Sequence, residues 1–269
     1  MNPKTFNLID KSFCDQVIAI TKETGNFIKN SKLTSEQGIE TKTFNNLVTY
    51  VDKTAEEQLV KKLGELLPQA GFIAEEGTSS KKGKIYNWII DPLDGTTNFI
   101  HQLPSFCVSV ALQKHDKMVL GVVYEINRDE CFYAWEGSKA YLNSQEIKVS
   151  PTKTLQDSLI ATGFPYDDFD RLDNYINVFK QLVQNTRGLR RMGAAAVDLA
   201  YVACGRFDSF YEYGLNPWDV AAGAFIVQQA GGKVSDFKGG DNYLFGEEII
   251  ASNGSTHDGL LEVIEKQFN

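Results

Sequence analysis

Across 269 residues the chain carries 27 Lys and Arg against 35 Asp and Glu, a formal charge of −8, with 42% hydrophobic and 23% charged residues. That balance excludes global disorder and argues against a nucleic-acid binder, which presents a basic face. The length suits one large domain or two small ones, and an anionic substrate would need cations supplied locally, by side chains or by metal.

Helical periodicity runs from Lys11 to Asn30, with Phe13, Val17, Ile20 and Phe27 among its apolar positions. A polar segment, Ser31 to Asn46, follows. A second helical pattern carries Leu59, Val60, Leu63 and Leu66-Leu67, with Asp52 as its expected N-cap and Pro68 and Gly71 at its end. Phe72-Ile73-Ala74 reads as a short strand ending in Glu75-Glu76-Gly77. Ile85 to Ile90 is an apolar strand that runs straight into Asp91. Phe106–Leu112, Met118–Tyr124 and Cys131–Trp135 continue as an antiparallel meander, and Tyr141 to Val149 adds a hairpin.

Near Pro151 the rhythm changes to alternating strand and helix. Leu159–Thr162 and Phe207–Tyr213 read as strands, as does Ile249–Ala251. Asp173–Val183, Ala194–Cys204, Pro217–Ala230 and Gly259–Phe268 read as helices. The expected division is an N-terminal α+β half, 1–150, and a C-terminal α/β half, 151–269. No linker or repeat separates them, so a large shared interface is expected.

The segment Trp88-Ile89-Ile90-Asp91-Pro92-Leu93-Asp94-Gly95-Thr96-Thr97 is the strongest chemical signal. A buried strand delivers Asp91, and Pro92 turns the chain by fixing φ. Gly95 tolerates positive φ, and Thr96 or Thr97 is expected to cap a short helix. Asp91 and Asp94 can converge with the Leu93 carbonyl between them, and three hard oxygens at one point suit Mg²⁺ or Mn²⁺. Taken alone, such an Asp-rich turn is more often held by local hydrogen bonds. The apolar strand, the Gly-Thr-Thr and further acidic positions shift that balance.

Glu75-Glu76 could complete a metal set or form an exposed acidic turn. Asp219 lies in the first turn of a helix begun by Asn216 and Pro217, where the helix dipole also favours it. Glu212, at a strand end, could reach the same cleft or be an ordinary exposed residue. His101, His115 and His257 have no metal-ligand spacing and are expected at the surface, which disfavours zinc chemistry. There is no G-x-S-x-G and no Gly-rich nucleotide motif. Cys14, Cys107, Cys131 and Cys204 form no C-x-x-C pair and are expected as reduced core thiols. Met1 to Phe6 lacks a signal-peptide apolar run, and no run reaches the ~20 residues of a membrane span, so a cytoplasmic setting is expected.

At these residues the sequence resembles the inositol monophosphatase family. Its first signature resembles Trp88 to Phe99, its second Asn216-Pro-Trp-Asp219-Val-Ala-Ala-Gly223 continuing to Gly232, and its upstream acidic motif Phe72 to Gly77. Arg190-Arg191-Met192-Gly193-Ala194-Ala195-Ala196 resembles the segment common in bacterial members. The resemblance spans about Leu47 to Asn253. It implies a layered α+β and α/β fold, a five-layer α-β-α-β-α sandwich, usually homodimeric. It implies Glu75, Asp91, the Leu93 carbonyl, Asp94 and Asp219 as ligands of two or three Mg²⁺, with Mn²⁺ as a substitute. Thr96, supported by Asp52, would orient the attacking water, with Glu75 also in the catalytic set. Gly95 and Thr96 would hold phosphate. Gly193, Ala194, Ala195 and Glu212 would contact the hydroxyl-bearing part of the substrate, and Lys42 matches a family loop lysine too loosely to join them.

The implied activity is hydrolysis of a small polyol or sugar phosphate, inositol 1-phosphate first, without a phosphoenzyme. Fructose 1,6-bisphosphate, 3′-phosphoadenosine 5′-phosphate and histidinol phosphate serve relatives of the same fold. A bisphosphate would want extra cations, for which Arg171, Arg187, Arg190 and Arg191 are candidates. An aspartyl-phosphate mechanism is disfavoured because Asp91 and Asp94 are three apart with Pro92 between. A regulatory binding protein would have lost acidic positions that are intact here.

Overall fold

A computed structural model describes residues 9–31, 40–43, 46–165 and 169–268; residues 1–6, the side chain of Lys42 and most of the polar segment 31–46 lie outside that description. Helix α1 (Lys11–Asn30) is capped by Asp10, whose carboxylate accepts the Phe13 N–H at 2.9 Å. Strands β1 (Glu40–Thr43) and β2 (Asn46–Val48) form a small hairpin before α2 (Tyr50–Leu66). The cap of α2 is Thr49, not Asp52 as expected. Tyr50 and Val51 already belong to the helix, so Asp52 falls three residues past the cap. There it closes a capping box by accepting the Thr49 N–H at 2.8 Å.

Seven strands then build one sheet in chain order: β3 (Gly71–Ala74), β4 (Tyr86–Asp94), β5 (Cys107–Lys114), β6 (Lys117–Glu125), β7 (Glu130–Trp135), β8 (Ala140–Leu142) and β9 (Gln145–Ile147). All neighbours are antiparallel except β3 and β4, which run parallel. A short helix, α3 (Thr96–Ile100), interrupts the path between β4 and β5. The second sheet has the order β11-β10-β12-β14-β13, from β10 (Leu159–Thr162), β11 (Gly188–Arg190), β12 (Ser209–Tyr213), β13 (Lys233–Ser235) and β14 (Glu248–Ser252). Its helices are α4 (Leu172–Asn185), α5 (Ala195–Ala203), α6 (Pro217–Gln229) and α7 (His257–Phe268). β1, β2, β11 and β13, of three or four residues each, were not expected from the sequence.

Three apolar clusters define the layers. Helices α1 and α2 cover one face of the large sheet, α5 and α6 fill the space between the sheets, and α4 and α7 cover the far face of the small sheet. This is the expected five-layer α-β-α-β-α sandwich. Strand alternation sorts the residues. Trp88 and Ile90 of β4 face α1 and α2, while Ile89 faces the middle layer; on β12, Phe210 faces the middle layer and Tyr211 and Tyr213 face outward. Burying each such side chain contributes about 1.5–3 kcal/mol.

Helix α6 is seated closely on its neighbours. A Cβ on Gly121 of β6 would lie 2.8 Å from the Ala222 carbonyl oxygen, and one on Gly223 would lie 2.5 Å from the Leu199 Cβ of α5. Both glycines therefore set the depth at which α6 sits. The four cysteines are free thiols, Cys14, Cys107 and Cys131 buried and Cys204 half-buried. Among the described residues no helix is long and apolar enough to cross a membrane.

His257 corrects one expectation. His101 and His115 are exposed, but His257 is fully buried at the start of α7. Its Nδ1 lies 2.9 Å from the Ser252 hydroxyl and its Nε2 lies 3.0 Å from the Ser235 hydroxyl. Apolar spacing in α7 could not reveal those two serines, which come from β13 and β14. Burial, aided by Lys233, lowers its pKa from 6.5 to about 4. The neutral ring is therefore favoured in the fold, and the unfolded chain takes up a proton first as pH drops. The stability tied to His257 is complete above pH 6.5 and lost as pH falls toward about 4. In denaturant titrations across that window, wild type should lose stability relative to His257→Gln as pH falls.

Candidate active site

The β4 alternation that points Ile89 into the middle layer also points Asp91 there, toward the start of α6. Beyond Asp91 the ladder to β5 slips: Asp91 pairs with Ser109 but Asp94 with Cys107. Pro92 has no N–H to give that ladder, so an irregularity forms where proline removes a donor. The slip brings Asp91 and Asp94 to one cleft. Both are buried, at 2% and 8% exposure.

Gly95 ends the strand at φ 93° and stands as the N-cap of α3 with no side-chain bond. Thr96 is thus the first helical residue, not the expected cap. A Cβ on Gly95 would sit 2.9 Å from the Ser105 carbonyl oxygen and 3.3 Å from the Ala194 Cβ. That close approach joins the strand end to the segment before α5. Asn98 fastens the same junction, its amide donating to the Met192 carbonyl at 2.8 Å and to the Ser105 carbonyl at 2.7 Å.

Three acidic side chains of the cleft each spend an oxygen on a backbone donor. Asp91 accepts the Leu93 N–H at 2.9 Å, Asp94 the Ala196 N–H at 2.7 Å and Asp219 the Asn216 N–H at 2.6 Å. The Cys107 thiol adds a weaker bond, 3.7 Å, to the same Asp94 oxygen. Glu75 follows β3 directly, its N–H donating to the Ile90 carbonyl at 3.3 Å, so it stands beside Asp91. Asn216 is the N-cap of α6 and Pro217 its first residue, as the spacing predicts. Behind the cleft, Asp52 is 1% exposed and accepts the Thr96 hydroxyl at 2.8 Å. Its other oxygen accepts the Thr49 N–H.

The cleft is open to solvent, with a cavity of about 100 Å³ lined by Glu75, Asp91, Leu93, Asp94, Gly95, Thr96, Gly193, Ala194, Ala195, Glu212 and Asp219 together with Thr97, Gly163, Arg191, Gly214, Leu215, Asn216 and Trp218. Every site residue expected from the sequence is on this wall except Asp52, which lies behind Thr96. Glu212 is 5% exposed, not the ordinary exposed residue its strand position allowed. Arg191, Gly163 and Trp218 complete the wall without having been singled out for it. Arg191 was one of four weighed arginines, Trp218 lay inside a signature, and nothing in the sequence marks Gly163. Of the other arginines, Arg171 pairs with Glu248, Arg187 pairs with Asp157, and Arg190 is exposed.

Among the described residues, five carboxylates and one guanidinium on this wall leave an excess of negative charge. Burial, then repulsion from Glu75, Asp94 and Asp219, holds Asp91 well above the usual carboxylate range. Burial, then Asp94 and Glu75, does the same to Asp219. Burial lifts Asp94 to about 6 against the pull of the Ala196 N–H. A cation in the cleft would remove that repulsion, so the donor set fits a hard divalent ion. Among the described residues no three of His, Cys, Asp or Glu close on one point tightly enough to hold an ion alone. Such a site would be completed by the Leu93 carbonyl, water and a ligand phosphate, the pattern Mg²⁺ favours.

Glu212 rests against Gly163: a Cβ there would fall 2.0 Å from its Oε1. Burial raises its pKa from 4.5 to about 8, with Arg191 pulling the other way. In Gly163→Ala the flexible carboxylate should swing out of the cleft while the fold persists. Its pKa should then fall toward 4.5, read by carbon NMR of the labelled carboxyl group.

Residues 10–268 match the model of the inositol monophosphatase family. A protein from Pseudomonas aeruginosa named Nus factor SuhB is 47% identical over 223 residues, covering 81% of this chain and 82% of that protein. Among solved structures, the extragenic suppressor protein suhB from Bartonella henselae superposes with a TM-score of 0.89 at 35% identity, covering 95% of this chain and 99% of that one. An inositol monophosphatase from Anabaena (Nostoc) does so with a TM-score of 0.83 at 37% identity, covering 95% and 96%.

Proposed function

The chain belongs to the inositol monophosphatase family, and from that premise we propose that it is a Mg²⁺-dependent phosphomonoester hydrolase acting on a small polyol phosphate, inositol 1-phosphate first. The observation that carries this reading is the buried carboxylate cluster at the ends of β3 and β4 and the start of α6, facing a solvent-open cleft. The name of the Anabaena neighbour supports the choice of substrate.

In this reading Glu75, Asp91, the Leu93 carbonyl, Asp94 and Asp219 hold the ion. When bound, Mg²⁺ would neutralise phosphate charge and make a water molecule more acidic. The protein's own part starts at Asp52. Its buried carboxylate is fixed by Thr49 and takes the Thr96 hydroxyl hydrogen at 2.8 Å. The Leu93 carbonyl, 3.0 Å away, competes for that hydrogen, but an anion is the stronger acceptor. With its hydrogen committed, Thr96 can only accept from a water, which turns the lone pair of that water toward phosphorus. Burial holds Asp52 above the usual carboxylate range, which suits it to take the proton that passes through Thr96.

Backbone at Gly95 and Thr96 would hold phosphate oxygens. Glu212, with Gly193, Ala194 and Ala195, would meet the hydroxyl-bearing end, where its buried carboxyl group can hydrogen-bond O–H groups. Among the described residues Arg191 is the one cation on the wall, which favours a monophosphate over a bisphosphate.

A second reading draws on the relatives named Nus factor SuhB. It assigns the biological role to binding a macromolecular partner, with turnover dispensable. A single variant separates the two. Asp94→Asn should keep the far-UV spectrum while phosphate release falls at least about a hundredfold, since loss of groups one layer behind a metal already costs 10–100-fold. EDTA should silence wild type, and Mg²⁺ should restore it. Near-normal turnover by Asp94→Asn would remove Asp94 from the ligand set. Rescue of cells lacking the protein by that inactive variant would favour the second reading.

A further inference from the structure

Glu56 belongs to no site described so far. It lies one turn after Asp52 on α2 and is 0% exposed. Its carboxylate bridges the turn that follows β3: Oε2 accepts the Glu76 N–H at 2.7 Å and Oε1 accepts the Thr78 N–H at 2.8 Å. Between these donors stands Gly77 at φ 66°. Alternating backbone of this kind aims successive N–H groups at one anion, and here the anion is a side chain of the protein itself.

The arrangement binds two strand ends to one helix. Asp52 holds Thr96, just past the end of β4, while Glu56 holds residues 76–78, just past the end of β3. Glu75 lies between β3 and that turn. On one side it is anchored by its N–H to the Ile90 carbonyl, and on the other by the Glu56 bridge. We propose that Glu56 is a positioning residue for the metal site, fixing the backbone that presents Glu75 to the cleft. The inference rests on the reading of Glu75 as a metal ligand.

Gln at position 56 keeps the shape but replaces one acceptor oxygen with an NH₂ group that confronts a backbone donor. The turn then loses one of its two bonds and gains a repulsive contact. The test uses the full-length chain, with Glu56→Gln and Glu75→Gln side by side. Mn²⁺ affinity is read by calorimetry, phosphate release over a Mg²⁺ series, and amide exchange at Glu76 and Thr78 by mass spectrometry. For Glu56→Gln, both amides should exchange faster and Mn²⁺ should bind about tenfold more weakly, the low end of the cost of disturbing groups behind metal ligands. KM at saturating Mg²⁺ should stay unchanged. A purely structural role would lower Tm and leave Mn²⁺ affinity alone, and that result overturns the proposal. Should Glu56→Gln not fold, Thr78→Pro removes one donor from the other side of the bridge, and wild-type Mn²⁺ affinity there is equally fatal. If Glu75→Gln leaves Mn²⁺ binding intact, the ligand role of Glu75 is what fails.

Discussion

Negative charge brought out of water is the constraint around which the structure is arranged. Asp91, Asp94 and Asp219 meet at one cleft with Glu75 and Glu212; burial raises the pKa of the first three, and repulsion adds to it at Asp91 and Asp219. A buried carboxylate without partners is costly, so each needs donors that do not fill the cleft. The fold supplies backbone N–H groups from Leu93, Ala196 and Asn216. Each takes one oxygen, and the other is outside that bond. The same solution recurs behind the wall, where Thr49 serves Asp52 and the turn 76–78 serves Glu56. Backbone donors suit this task because they are held by secondary structure and add no positive charge to compete with a metal.

That solution explains why the layers matter. The Ala196 donor sits at the start of α5, between the two sheets, so Asp94 is satisfied only if that middle layer is seated correctly, while Asp219, bonded to Asn216 at the start of its own helix, reaches the cleft only through the same seating. Gly121 and Gly223 set its depth by close approach, and the apolar cluster shared by both sheets holds it there. Packing energy from residues such as Ile89, Phe210 and Leu199 is thereby spent on geometry at the cleft. The slip in the β4–β5 ladder at Pro92 belongs to the same economy of constraint. It gives up regular pairing where two carboxylates must face one way.

Much of this was legible in the residues. The strand into Asp91, the Asn216-Pro217 start of α6 and the helix Lys11–Asn30 follow from local rules that hold within a few residues. Local rules also explain the misreadings. Asp52 was expected as a cap because it precedes the apolar stripe, yet the helix begins at Tyr50 and Asp52 became the far arm of a capping box. Thr96 or Thr97 was expected as a cap because threonine favours that role, yet Gly95 took it at positive φ and freed Thr96 to bond Asp52 across 44 positions of sequence. His257 was assigned to the surface because its two serine partners lie on other strands.

What the sequence by itself determined is the chemistry available: hard oxygens at Glu75, Asp91, Leu93, Asp94 and Asp219, a turn at Pro92-Gly95, and alternating patterns that specify a layered fold. Those properties depend on residue type and short spacing. Only the tertiary structure decided which carboxylates face one another, which oxygen of each is used by the backbone, and that Glu212 rests on Gly163 inside the cleft while Glu56 grips the turn beyond Glu75. The decisive contacts join segments 20 to 102 residues apart, such as Glu56 with Glu76 and Asp94 with Ala196. They arise from how sheets and helices stack, and no local period encodes that.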